Sequence, residues 1–334
     1  MAYETEDHET QYCFPAINSS CIKTKRSTFE YNIMYVFFSL LSAFTVFLNL
    51  LVIISISHFK KLHTPTNMLI LSLAVADLLI GLIVMPLEAI KLIETCWYFG
   101  DIFCGVYSVF IGLLLSASLS HLILIAVDRY VAVCHPLHYP QKITTAKSIL
   151  SICICWFCAT AYNIVPVSSS LQSDLNKMNV CYGVCTFTVS YAWRVTDLIM
   201  SLLFPCTVII TLYMRIFYVV HQQVKVINSL LKGGKHVMKG SLKRKTESKA
   251  ALTLGLIVMV YLLCWIPFFI LVPIENTEII FTTTVLLWIV YLNSAVNPII
   301  YALFYPWFKM SVKHIITLKI FQPASSHMDI FTDY

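Results

Sequence analysis

The sequence predicts an all-α membrane protein, a bundle of seven transmembrane helices, and two observations carry that expectation. Apolar residues make up 58% of the 334-residue chain, charged residues only 12%, and the mean hydropathy is +0.78. Ordinary globular chains carry about 25% charged residues, and a soluble fold of this length could not hide so much apolar surface from water. The apolar residues also fall into seven runs, at about 31–57, 67–91, 102–134, 148–167, 188–220, 249–273 and 280–304. Each is long enough for a bilayer core, which needs roughly 20 residues per helix.

The order of charges orients the bundle. The turns after spans one, three and five, together with the C-terminal segment, hold 17 of the 23 Lys and Arg residues, among them Lys60, Lys61, Arg129, Lys142, Lys147, Arg215 and the cluster from Lys225 to Lys249. The positive-inside rule then places the N-terminus outside and the C-terminus in the cytoplasm. Acidic residues gather on the opposite side, at Glu4, Glu6, Asp7, Glu9, Glu94, Asp101 and Asp174. The sequon Asn18-Ser19-Ser20 marks Asn18 as a glycosylation site on the outer side. Residues 1–30 are polar with no apolar stretch, so the first span is expected to act as the targeting signal. The organisation expected is an extracellular segment 1–30, a membrane domain 31–304 and a cytoplasmic tail 305–334. No internal repeat suggests an inverted-repeat transporter, and no nucleophile–base pair, zinc-ligand pattern or phosphate loop suggests an enzyme.

Eleven of the twelve cysteines fall into two sets. Cys153, Cys155, Cys158, Cys206 and Cys264 lie in apolar runs and read as buried small hydrophobes. Cys13, Cys21, Cys96, Cys104, Cys181 and Cys185 lie outside or at the ends of those runs and can oxidise if that side faces outward. Spacing alone does not choose their pairing.

Polar groups at bilayer depth need a reason, because an ionisable side chain there costs about 2.5–3.5 kcal/mol. The spans carry Asp77, Ser118, Asp128-Arg129-Tyr130, Asp197, Asn293, Ser294 and Asn297. Asp128 can form a local ion pair with Arg129. Pro205, Pro267 and Pro298 interrupt spans five, six and seven, freeing carbonyls and permitting kinks.

Asn49, Asp77, Asp128-Arg129-Tyr130, Trp156, Pro205, Cys264-Trp265-Ile266-Pro267 and Asn297-Pro298-Ile299-Ile300-Tyr301 occur once each and in order. Together they resemble the landmark residues of rhodopsin-like G-protein-coupled receptors over nearly the whole chain. The run from Asn293 to Phe308, with Lys61–Asn67, Cys96–Gly100 and Asn18–Lys23, resembles the trace amine-associated receptors more narrowly. The resemblance implies a receptor rather than an enzyme, at the plasma membrane, with a short cytoplasmic amphipathic helix opening at Tyr305-Pro306-Trp307-Phe308. It implies partners in a small protonated amine, the lipid bilayer and a heterotrimeric, stimulatory, cAMP-raising G protein, for which segment 221–248 would be a docking surface unless it merely faces lipid headgroups. No nucleic-acid partner is expected. Expression in olfactory cilia is implied by the family alone.

Residue roles follow from the same resemblance. Asp128, Arg129, Tyr130, Trp265, Pro267, Asn297, Pro298 and Tyr301 would act in activation. Asp77, Ser118, Asn293, Ser294 and Asn297 would hold an allosteric sodium ion, the one cofactor implied; a water-filled hydrogen-bonded network is the alternative. Bridges Cys104–Cys185 and Cys21–Cys181 are implied, with Cys13 and Cys96 open to a swap. No cysteine follows Cys264, so Trp307, Phe308 and Lys309 are expected to make the tail's membrane contact.

The ligand site departs from the usual amine receptor. The aspartate expected eighteen residues before Arg129 is replaced by Ile111, which cannot pair with an ammonium. Asp197, eight residues before Pro205, is the substitute, with Ser201 one turn below it, and this resembles a fish branch whose acidic site moved to span five. Arg194 at i−3 could instead neutralise Asp197. Glu88 is a second acceptor, with Lys91 at i+3. Tyr107, Trp265, Phe268, Phe269, Trp288 and Tyr291 would complete an aromatic pocket, worth roughly 0.5–2 kcal/mol to an ammonium over a ring. Rival readings are a related receptor for a non-amine ligand and an amine transporter.

Overall fold

The computed structural model describes residues 11–174, 181–186, 190–232, 255–256, 259–271, 280–322 and 325–327, without the side chains of 169–174, 227–232, 280–281 and 306. The first span is α1 (Thr28–His58). The second is α2 (Pro65–Leu79), a π-turn (Ile80–Val84) and α3 (Met85–Glu94). The third is α4 (Asp101–Cys134), followed by the short α5 (Tyr139–Lys142), and the fourth is α6 (Thr145–Asp174). The fifth is α7 (Tyr191–Leu198), a π-turn (Ile199–Leu203) and α8 (Phe204–Lys232). The sixth contributes α9 (Met259–Leu271), the seventh is α10 (Ile280–Phe304), and α11 (Pro306–Ile316) follows. Among the described residues, six helices are long and apolar enough to cross a membrane and α9 is a shorter apolar one. Apart from residues 255–256, the rest of the sixth span lies outside the described residues, as does the basic cluster beyond Lys232.

The radial distribution of polarity is that of a membrane protein. On α1, Phe37, Leu40, Phe44 and Phe47 are 58, 67, 47 and 53% exposed, whereas Ser42, Thr45 and Asn49 on the inner face are buried. Phe157, Met214 and Leu263 repeat the pattern on other spans. Apolar side chains outside and polar ones inside suit a lipid solvent, where each helix satisfies its own backbone. The chain is a multi-pass membrane protein with a seven-helix bundle. Cys153 and Cys158 lie on the exposed surface, and Cys155, Cys206 and Cys264 are half-buried. The expectation of buried cysteines is thereby corrected: in lipid, an apolar run gives no sign of which face packs inward.

Helix starts and breaks have local causes. Ser27 and Glu30 form a reciprocal capping box that begins α1 three residues earlier than the apolar run suggests. Pro298 has no N–H to give the carbonyl of Ser294, and Asn49 donates to that carbonyl instead, at 3.0 Å. In span two, Ser42 donates to the Gly81 carbonyl inside the π-turn at 2.6 Å, and a Cβ at Gly81 would meet Thr45 at 3.0 Å. Asn49→Ala should cost about 1–3 kcal/mol by leaving a buried carbonyl unpaired. The check is a fall of several degrees in the thermal midpoint of the purified protein; an unchanged midpoint would contradict the assignment.

One end of the bundle is closed by three disulfides: Cys13–Cys96, Cys21–Cys181 and Cys104–Cys185, with Cα separations of 5.6, 5.0 and 5.6 Å. Both pairs implied by resemblance form, and Cys13 and Cys96, left open by the sequence, pair with each other. Backbone bonds tie the layer together: Cys21 N–H to Tyr182 O (3.0 Å), Tyr182 N–H to Ser19 O (2.8 Å) and Trp97 N–H to Gly183 O (2.8 Å). Gly183 sits at φ +104° with the Cys13 Cβ 3.0 Å from where its own would lie, so only glycine fits. Asn18 of the sequon is exposed on this layer. Lys23 pairs with Glu94, and that hydrogen-bonded carboxylate holds the Lys23 ammonium above the usual lysine range.

At the other end Trp307 (6% exposed) and Phe308 (2%) turn inward, Phe308 against Tyr301 and Trp307 against Tyr305. The expectation that these rings make the membrane contact is corrected, because the inner face of α11 supplies the core with its largest side chains. Ile316, Leu318 and Phe321, at 66, 66 and 82% exposed, are the apolar groups turned outward there.

Candidate functional site

A cavity of about 150 Å³ opens between spans three, four, five and six, lined by Gly112, Leu115, Ser116, Leu119, Asn163, Asp197, Ser201, Tyr261, Trp265, Phe268 and Phe269. Helical spacing builds its walls. Asp197 and Ser201 are one turn apart in span five, as are Gly112 and Ser116 in span three, and Trp265 and Phe269 in span six. Ser201 donates to Asp197 Oδ1 at 2.7 Å, and Tyr162 donates to the same oxygen at 3.0 Å. Trp193 packs on Tyr162 with ring centroids 4.9 Å apart. These contacts fix the carboxyl and leave Oδ2 without a donor among the described residues. The ion pairs among those residues do not include Asp197. On the far side, Trp265 stacks between Tyr261 (5.4 Å) and Phe269 (5.5 Å), with Phe268 edge-on at 6.2 Å. A carboxylate facing aromatic rings across a small cavity is chemically suited to a cation.

The remaining residues expected in this pocket are elsewhere. Tyr107 shares its one hydroxyl proton between Glu88 Oε1 and the Val84 carbonyl, both at 3.2 Å, and its ring stacks on Trp97. Lys91 lies 3.8 Å from Glu88. Trp288 and Tyr291 pack edge-on in a buried cluster with Leu114, against which Ile111 also rests. Tyr107, Ile111, Glu88, Trp288 and Tyr291 therefore do not line the cavity around Asp197, and the single-pocket expectation is corrected. Glu88 is instead engaged by Tyr107 of span three and by Lys91 one turn along its own helix. Conversely, sequence reasoning passed over Tyr162, Asn163, Ser116 and Gly112. The only signal available was the polar pair Tyr162-Asn163 within an otherwise apolar stretch of span four.

Below the cavity lies a polar core. Asp77 is wholly buried, and its Oδ2 accepts from Asn297 at 2.8 Å. Asp77 Oδ1, Asn293 Oδ1 and Asn297 Oδ1 accept no hydrogen bond, while Ser118 and Ser294 are 4 and 3% exposed. Buried oxygens without donors beside a carboxylate are groups that a hard monovalent cation or bound water would complete, and the donor set fits either. Further along, Arg129 Nε donates to Asp128 Oδ2 at 2.9 Å, and Asp128 also accepts from Thr66 (2.7 Å) and Tyr139 (2.9 Å). Tyr130 stands outside this set, edge-on to His135 at 5.7 Å. Tyr301 and Tyr261 also keep buried hydroxyls without partners among the described residues.

Seven apolar spans, a buried Asp77–Asn297 pair, a clamped Arg129 and a cavity above Trp265 define a seven-transmembrane receptor. The family "7 transmembrane receptor (rhodopsin family)" matches residues 48–301. Trace amine-associated receptor 13c of Danio rerio is 41% identical over 333 residues, covering 97% of each chain. Trace amine-associated receptor 4 of Mus musculus is 40% identical over 329 residues (95% of this chain, 94% of the relative), and trace amine-associated receptor 9 of Rattus norvegicus 38% over 333 (97% and 98%). The chain belongs to the trace amine-associated receptors, within the rhodopsin family. It is a receptor and not an enzyme.

Proposed function

We propose that this receptor stands in the plasma membrane with its N-terminus outside, binds a small protonated amine at Asp197, and activates a heterotrimeric G protein of the stimulatory, cAMP-raising type. The single observation that supports the ligand most strongly is the Asp197 carboxyl, held by Ser201 and Tyr162 through one oxygen and opening on a cavity backed by Trp265. A cavity of about 150 Å³ suits a small amine, since an engineered protein cavity of about that size takes up a benzene ring. The relatives, named as trace amine-associated receptors, point to the same ligand class.

The arrangement gives a route from ligand to effector. An ammonium at Asp197 draws span five toward a ligand whose body rests on Trp265, two residues before Pro267. A ligand that fits one disposition of spans five and six better than another shifts the receptor toward it. At the far end, Arg129 is kept from any partner by Asp128 and must leave it to engage one. The test is a screen of small amines, carboxylic acids and alcohols for cAMP accumulation in cells bearing the receptor. Amines alone should act; a response confined to acids or alcohols refutes the ligand class.

The Asp77 cluster supports a second proposal, that Asp77, Ser118, Asn293, Ser294 and Asn297 hold sodium in the inactive state. A bound cation there would neutralise the buried carboxylate and tie span two to span seven. Sodium should raise the thermal midpoint of the purified receptor relative to an equal concentration of N-methylglucamine, and Asp77→Ala should remove the difference. Equal midpoints in the two salts would exclude the ion.

A further inference from the structure

We infer that Asn163 is a specificity-determining residue of the amine site, and that its side-chain oxygen, presented over Gly112, makes the receptor prefer primary amines to their N-methylated forms. The inference rests on the amine reading of Asp197. Its grounds are the hydrogen-bond inventory of the cavity.

Asn163 has two amide protons, and both are committed: Nδ2 donates to Ser116 Oγ at 3.0 Å and to the Ala159 carbonyl at 2.8 Å. Those two bonds fix the orientation of the amide. Its Oδ1 then accepts from no donor among the described residues and points at span three. A Cβ built on Gly112 would lie 2.1 Å from that oxygen, so the amide is placed there only because residue 112 has no side chain. Asp197 is spent in the same lopsided way. Oδ1 takes both the Ser201 and Tyr162 protons, and Oδ2 takes none. The protons of Ser201 and Tyr162 are thereby used up. The polar wall of the cavity thus offers two acceptor oxygens, one charged and one neutral, from two different spans.

A ligand nitrogen in so small a space is complemented best if it carries several N–H groups. A primary ammonium has three, a tertiary ammonium one, and a quaternary ammonium none. Each N–H replaced by methyl removes a possible bond and leaves an acceptor desolvated and unpaired. Such a loss next to a charged group is worth roughly a ten- to hundredfold change in affinity. An apolar wall could not achieve that selection, since extra methyl groups in an apolar pocket are poorly rejected.

The test uses full-length purified receptor and reads affinity from ligand-dependent thermal stabilisation, so it does not depend on the G protein. The probes are cyclohexylamine, its N-methyl and N,N-dimethyl derivatives, and N,N,N-trimethylcyclohexylammonium. Wild type should bind them in that order, with a spread of about tenfold or more from first to last. Asn163→Leu should flatten the order while binding stays dependent on Asp197. Gly112→Ala should do the same without altering any polar group, because the new methyl displaces the amide oxygen, and alanine favours the helix. Equal affinities for all four probes on wild type overturn the assignment to Asn163 and leave the amine site standing, provided Asp197→Ala abolishes binding. An order that persists in both Asn163→Leu and Gly112→Ala does likewise. Binding indifferent to Asp197→Ala overturns the amine site and this inference together.

Discussion

Replacing Asp197 by alanine is expected to abolish the response to small amines while leaving the receptor at the cell surface. The carboxyl is half-buried, and only its ties to Ser201 and Tyr162 hold it toward the cavity. Truncating one partner of a buried, hydrogen-bonded charge pair costs about 2–5 kcal/mol, so potency should fall at least about thirtyfold. The bundle itself loses little, because the hydroxyls left behind can turn to backbone carbonyls of their own helices. Asp197→Glu keeps the charge but moves it by one methylene into a cavity of about 150 Å³; it should shift the rank order of amines rather than silence them. Dose–response curves paired with surface staining check both variants. An unaltered curve for Asp197→Ala would remove the site.

The second large effect is expected from Cys104 and Cys185. Their bridge closes a loop with a sequence separation of 81 residues and joins the start of α4 to the segment that carries Tyr182 and Gly183. Removing a native bridge of this kind costs about 2–5 kcal/mol, a large share of the 5–15 kcal/mol that holds most domains folded. Cys104 lies two helical turns above Gly112, so the cavity loses its anchoring end as well. Cys104→Ser combined with Cys185→Ser should sharply lower both surface receptor and thermal midpoint. Removal of Cys13 and Cys96 should cost less, since Cys21–Cys181 still ties the N-terminal layer to the same segment. If both double variants reach the surface like wild type, the disulfide layer is not what holds this end together.

The polar core was legible because bilayer depth makes every ionisable residue conspicuous: Asp77, Asp128 and Arg129 could be singled out with no structure at all. Asp197 was legible by its distance from Pro205. Tyr162 and Asn163 were not, because a neutral hydroxyl and amide in an apolar helix cost little enough to pass as packing. Gly112 gave no signal either, as its part is to leave space. The inward turn of Trp307 and Phe308 escaped for a different reason. Large apolar rings at the end of a membrane helix suit lipid and protein equally well, and only the packing against Tyr301 and Tyr305 separates the two. Tyr107, Trp288 and Tyr291 are buried in the bundle, yet Tyr107 meets Glu88 of span two rather than Asp197.

The most direct measurement pairs the charge of the ligand with the charge of the receptor. Affinities of cyclohexylamine and of cyclohexanol, nearly equal in size and different in charge, are to be compared on wild type and on Asp197→Ala. Wild type should favour the amine strongly, and the variant should bind the two alike, a coupling that isolates the ammonium–carboxylate contact. The same preference for the amine on both receptors would show that its charge is read somewhere other than Asp197.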